Sequence, residues 1–328
     1  MIAQNKPNAP NVQLAATALR SDSLGVAAAP PLLGATAERG SHAVLRRVFR
    51  EPRVLFGSAL LVLLLAVAIF APLIAPYSPS NQDLLNVLLP PAWISGGSTA
   101  HLFGTDSLGR DLLSMAIYGS RVAVYVGVAA PIGAGLIGTV LALVAGWCGG
   151  KTDWIILRVV EVWMSFPAVV LAMVLIAAIS PSVTNVIIAL IFVDWTRFCR
   201  VLRAEVLVIR RREYVAAARI SGSGPLWTIL FDVVPGIVPT LITLMSLEIG
   251  IAVVAECSLS FVGLSSQATV PTWGGMIADG LANVFSVPWG LILPVLCTVL
   301  TVLATTFLGE GLRRTTDRRL LERPELKP

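Results

Sequence analysis

Residues 54–75, VLFGSALLVLLLAVAIFAPLIA, carry no charge and are long enough to cross the roughly 30 Å hydrocarbon layer of a bilayer as a helix rising about 1.5 Å per residue. Lipid offers the backbone no hydrogen-bond partner, so a spanning segment must satisfy its own amides, which leaves helices or closed barrels. Runs of this length select helices. Five more follow, at residues 122–147, 159–180, 183–199, 236–264 and 288–309. With 56% hydrophobic and 13% charged residues the chain lies far from soluble domains, about a quarter of whose residues are charged. The expected fold class is an all-α polytopic membrane protein with six transmembrane helices. The run at 183–199 is the most polar, with Asp194 and Arg197 at its inner end, and Pro167 is expected to kink or shorten the run at 159–180.

Six spans place both termini on one side, and the basic residues decide which. Lys and Arg concentrate in short cytoplasmic loops. With N- and C-termini cytoplasmic, only Arg110 and Arg121 of the 24 basic residues fall outside. The chain then divides into a disordered cytoplasmic tail (1–45), a first transmembrane helix with a basic flank (46–77), a periplasmic segment (78–120), a five-helix core (121–312) that includes a cytoplasmic loop at 197–235, and a basic cytoplasmic tail (313–328). The first tail is rich in Ala, Pro, Asn and Ser without periodicity and lacks the compact apolar segment of a cleaved signal. In the periplasmic segment Leu108, Leu112 and Met115 recur at helical spacing and predict a short interfacial helix.

Nothing in the residue pattern supports catalysis. His42 and His101 lie far apart, no HExxH pair is present, and no nucleophile sits with a base and an orienting group. Cys148, Cys199, Cys257 and Cys297 stand singly within or beside apolar runs and are expected to be reduced and inert. Residues 145–152, AGWCGGKT, match the loose form of a phosphate-binding loop. They leave a membrane span instead of a β-strand, however, and Ala145 stands at the first glycine, so nucleotide binding is not expected there. Acidic residues at membrane depth carry more weight, because a charge at the bilayer centre costs about 2.5–3.5 kcal/mol on insertion scales. Glu161 sits near the inner end of a span. Glu248 and Glu256, eight residues apart and near one helical face, either line a substrate path or bond to neighbouring helices. No metal, resident cofactor or nucleic acid is expected.

The loop at 197–235, RFCRVLRAEVLVIRRREYVAAARISGSGPLWTILFDVVP, places its arginines ahead of the pair Gly222 and Gly224. Residues 214–220 are alanine-rich and Pro225 suits a first helical turn, so the order reads helix, glycine turn, helix. This segment resembles the "EAA" loop of the integral membrane permeases of ATP-binding-cassette importers. Ala217, Ala218 and Gly222 hold that pattern and Pro235 falls where it puts its proline, while Ala216, Asp232 and Val234 depart from it. FGTDSLGRDLLS (103–114), GGKTDWIILRVVEVWMSFP (149–167), AECSLSFVGL (255–264), PTWGGMIADG (271–280) and LGEGLRRTTDRR (308–319) are similar to the second permease subunit of the dipeptide, oligopeptide and nickel importers.

The resemblance implies the type I importer permease fold and peptide transport by alternating access. It implies a sister permease subunit, two cytoplasmic ATPases that bind the ATP and Mg, and a periplasmic or lipid-anchored substrate-binding protein, all set among membrane lipids. The ATPase-coupling loop would then comprise Glu213, Tyr214, Ala217, Ala218, Gly222, Gly224, Pro225 and Pro235. The candidate translocation path would comprise Glu248 and Glu256, and the periplasmic signature Gly104, Thr105, Asp106, Gly109, Arg110 and Asp111. A bulky side chain at Gly222 is expected to obstruct the turn. The alternative reading is an ion-gradient-driven secondary transporter with Glu248 and Glu256 as its ion site.

Overall fold

The computed structural model describes residues 50–265, 270–286 and 288–316. The expected tail at 1–45 and the end of the expected tail at 313–328 lie outside the described residues. Among those residues the regular secondary structure is helical, apart from an isolated antiparallel bridge between Thr105 and Asp111, and residues 75–111 are turns and loop. The helices are α1 (Pro52–Ile69), α2 (Ala71–Ile74), α3 (Leu112–Cys148), α4 (Gly150–Met164), α5 (Ala168–Ile179), α6 (Val183–Ile209), α7 (Glu213–Ile220), α8 (Pro225–Thr228), α9 (Val234–Phe261), α10 (Trp273–Ala282) and α11 (Trp289–Thr316). A π-helical turn, Ile229–Val233, joins α8 to α9.

Four stretches are long and apolar enough to cross a membrane: α1, α3, the continuous run Pro225–Phe261, and α11. The pair α4 and α5 makes a fifth if it is counted as one span; it bends by 86° at the break between Met164 and Ala168. Pro167 has no amide to donate and pushes Phe166 away from helical geometry, which accounts for the break. Charged Asp194, Arg197, Arg200 and Arg203 lie along α6, which the same criteria do not admit as a span.

Three expected boundaries move. Asp111 caps α3, its carboxylate accepting from the Ser114 amide at 2.8 Å, and the helix then runs unbroken for 37 residues past Pro131. The interfacial helix expected around Leu108 to Met115 is therefore the first turn of this long helix, with Leu108 in the loop before it. The line drawn between a periplasmic segment and a core at residue 120 falls inside α3. Likewise α6 does not end at Cys199 but continues to Ile209, so Arg197, Arg200 and Arg203 ride on helix and not on loop. Its apolar face continues through the fully buried Leu202 and Val206, and the Arg203 guanidinium clasps the Asp153 carboxylate of α4, so the helix has packing to extend along.

The core sits between α3 and α6. In one half Val126 and Ala130 meet Val186, Leu190 and Val193, with Ile176 and Leu259 closing the cluster. In the other Ala134 and Ala142 meet Phe198, Leu202 and Val206. Small residues let these helices approach closely in lipid, where apolar surface alone does not drive association. A Cβ at Gly138 would lie 2.5 Å from the Phe198 Cβ and 2.6 Å from the Trp195 carbonyl oxygen. Gly138→Val should therefore force α3 from α6 at a cost of about 3 kcal/mol, read as a lowered melting temperature of the purified protein in detergent. Unchanged melting would show that this crossing has slack.

Candidate functional site

The loop after α6 is built as its residue pattern requires. Acidic Glu213 stands in the first turn of α7 and basic Arg219 in its last, each favourable to the helix dipole. The chain reverses at Gly222, whose φ of +87° is open to glycine and strained for other residues, and its amide donates to the Arg219 carbonyl at 3.1 Å. Gly224 then precedes α8 with Pro225 in the first turn, as expected, and Thr228 Oγ1 donates back to the Gly224 carbonyl at 3.2 Å. Pro235 follows in the first turn of α9.

Two kinds of contact tie this loop to the spans. Val215 of α7 and Val233 of the π turn are fully buried in the same cluster as Phe198, Leu202 and Ile237. The Arg219 guanidinium stacks 4.2 Å from the centre of the Trp147 ring at the end of α3. Tyr214 Oη reaches the Asp232 carbonyl at 3.5 Å. Packed side chains thus connect α7 with α3, α6 and α9.

The opposite face is bare. Ile220 is 88% exposed and Trp227 62%, with Leu226, Leu230 and Phe231 also exposed and the Trp227 and Phe231 rings 4.1 Å apart. Four of the five residues open the apolar run Pro225–Phe261, and Ile220 closes α7 just before it. None of these five residues was singled out from the sequence. The signal was available in the helical spacing of Trp227 and Phe231 after the glycine turn, but it merges with the apolar run of the next span.

The two membrane carboxylates do lie on one helix, α9, and both are buried, Glu248 to 2% and Glu256 to 1% exposure. They have separate surroundings. Arg197 Nη1 of α6 donates to Glu248 Oε2 at 2.8 Å, with buried Asp194 alongside. Glu256 Oε1 accepts from Ser265 Oγ at 2.8 Å, just beyond the end of α9. Each carboxylate has a protein partner, and the Arg197 pair joins α6 to α9.

The motif around Gly104 to Asp111 forms a compact cap over the start of α3. Asp106 Oδ1 accepts from the amides of Leu108 and Arg110 at 2.9 and 2.8 Å, and its Oδ2 from Arg110 Nε at 2.6 Å. Thr105 Oγ1 donates to the Asn86 carbonyl at 2.6 Å and accepts from the Leu89 amide, anchoring the preceding segment. Gly104 and Gly109 turn the loop with positive φ. Asp111 also takes Ser114 Oγ at 2.7 Å, and His101 Nδ1 lies 3.1 Å from its other oxygen. Nearby, the Asn86 side chain and the Leu85 amide hold the exposed Asp83 carboxyl below the usual carboxylate range. Among the described residues no group of His, Cys, Asp and Glu is arranged to hold a metal ion.

Comparison with known proteins fits this arrangement. Residues 138–322 match the family described as binding-protein-dependent transport system inner membrane component, and residues 41–91 match the N-terminal transmembrane domain of oligopeptide transport permease C. The chain is 40% identical to the dipeptide transport system permease protein of Escherichia coli over 83% of its own length and 90% of that protein's. It is 35% identical to the di/tripeptide transport system permease protein of Pseudomonas aeruginosa, over 80% and 87% of the two chains. It is also 35% identical to the glutathione transport system permease protein of Pectobacterium atrosepticum, over 84% and 90%.

Proposed function

We propose, from the premise that this chain belongs to the family of inner membrane components of binding-protein-dependent transport systems, that it is one of two unlike permease subunits of an ATP-driven peptide importer. The substrate class follows from the relatives, whose names specify dipeptides, di- and tripeptides, and glutathione, itself a tripeptide. In this reading six spans cross the inner membrane with both termini in the cytoplasm. A sister permease completes the pathway, two ATPases bind the ATP and Mg, and an external binding protein delivers substrate. The chain itself holds no cofactor and catalyses no reaction. Closure of the ATPases presses on residues 213–229, and the Val215 and Val233 contacts carry that push into α6 and α9, so the spans alternate between outward and inward access.

One observation carries the reading: the exposed patch of Ile220, Leu226, Trp227 and Phe231 lies on a loop whose inner face belongs to the core of the spans. A surface of that chemistry accepts an apolar socket on a soluble partner, and its aromatic residues are the kind that anchor interfaces. Trp227→Asp should remove an anchor worth about 2 kcal/mol or more, lowering co-purification of the ATPases and ATP-dependent uptake roughly thirtyfold. Undiminished co-purification would place the docking surface elsewhere. Uptake that ignores ATP and collapses with a protonophore would support the ion-driven alternative.

A further inference from the structure

The outer motif and the segment PTWGGMIADG lie far apart in sequence, yet the fold brings them together. Ser107 Oγ donates to Asp279 Oδ1 of α10 at 2.6 Å. Between the 104–112 loop, the end of α9 and α10 lies an outward pocket of about 310 Å³, at the lower end of the roughly 300–1,000 Å³ that small-molecule sites occupy. Leu108 and Met276 give it apolar walls, while Asp106, its ion-pair partner Arg110, Asp279 and Asn283 bring polar atoms to it. Neither Glu248 nor Glu256 lines it.

The two carboxylates in this pocket are not equivalent. Asp106 is committed, with amides on one oxygen and the Arg110 guanidinium on the other. Among the described residues the Asp279 carboxylate is held by the neutral Ser107, through its hydroxyl and, at 3.5 Å, its amide. Among the described residues no arginine or lysine is ion-paired with Asp279. A carboxylate oriented by a hydroxyl, half-buried and facing a pocket with apolar walls, retains lone pairs for a compact cationic donor, and charge-assisted bonds of that kind are the strong ones.

We infer that this pocket receives the primary ammonium of a peptide N-terminus on its way from the binding protein to the spans, with Asp279 as its counter-charge and Leu108 and Met276 against the first side chain. The inference rests on the peptide-importer reading and adds a substrate subsite to it. A lysine on the docked binding protein offers the same ammonium, so the test separates the two sources.

The experiment uses the complete importer in proteoliposomes, with external binding protein loaded with a radiolabelled dipeptide and Leu108→p-benzoylphenylalanine in this chain as a photocrosslinker. Illumination during turnover should attach the label to this chain. Asp279→Asn should cut that adduct about tenfold, the loss typical of one charge-assisted hydrogen bond, and Asp279→Glu should restore most of it. If position 108 does not tolerate the probe, Asn283→p-benzoylphenylalanine views the same pocket from the far side. Adducts to the binding protein without label would make the pocket a docking socket and overturn the inference, as would a labelled adduct insensitive to Asp279. The unsubstituted importer run in parallel tests the underlying reading: absence of ATP-dependent dipeptide uptake there defeats the importer assignment, whereas uptake without an adduct defeats only the subsite.

Discussion

An importer carrying Gly222→Asp is expected to insert and assemble, yet to lose ATP-driven peptide uptake by about a hundredfold or more. Two terms combine. At a φ of +87° any residue with a Cβ is strained by roughly 1–2 kcal/mol, enough alone to slow uptake about tenfold if the turn must be populated for coupling. The second is a carboxylate introduced near the exposed Ile220 and Trp227, where the proposed ATPase contact would take an unpaired charge out of water at a cost of several kcal/mol more. The expected steric obstruction does not arise within this chain, because a Cβ at Gly222 meets nothing within 4 Å. The penalty lies in the backbone and at the interface. Gly222→Ala should therefore show only the smaller, roughly tenfold loss, and Gly222→Asn should be the mildest, since Asn visits left-handed geometry readily. Uptake assays on the three variants, with membrane insertion checked by fractionation, give the order. Normal transport by the Asp variant would remove this turn from the coupling route.

Arg197→Ala should be the most destabilising single change among the charged residues of the spans. It leaves Glu248, 2% exposed, beside Asp194 with its cation gone. Breaking a buried pair by removing one partner costs about 3–5 kcal/mol, and because the Arg197 side chain is itself 40% exposed the lower end applies. The stranded carboxylate causes the loss, so Arg197→Ala with Glu248→Gln should recover most of it. A double-mutant cycle of detergent melting temperatures measures the coupling directly. Effects of the two single substitutions that simply add in the double variant would mean that the contact contributes nothing. If the double variant is stable and still transports, Glu248 serves as a tie between α6 and α9, whereas stability without transport would give it a part in the path.

Hydrophobic length, turn chemistry and the placement of cations were readable from residues close together in the chain. The apolar run from residue 54 is helical to Ile69 and resumes for one turn after Phe70, Gly222 followed by Pro225 turns and restarts a helix, and the run containing Pro167 breaks there, whereas α3 passes Pro131 unbroken. These are local demands of backbone hydrogen bonding and sterics, and the structure meets them. Whether α6 stops at Cys199 or continues to Ile209 was not readable, because that depends on Asp153 and on the residues of α3 packed against it. The same holds for the bare face of Trp227 and Phe231, for the separate surroundings of Glu248 and Glu256, and for the meeting of Ser107 with Asp279. A side chain's partner is chosen by how helices pack across the bilayer, and that choice depends on atoms distant in the chain. Five of the six expected apolar runs, counting the bent α4 and α5 pair as one, and the glycine turn thus came from neighbours in sequence, while the partners of the site residues were decided by neighbours in space.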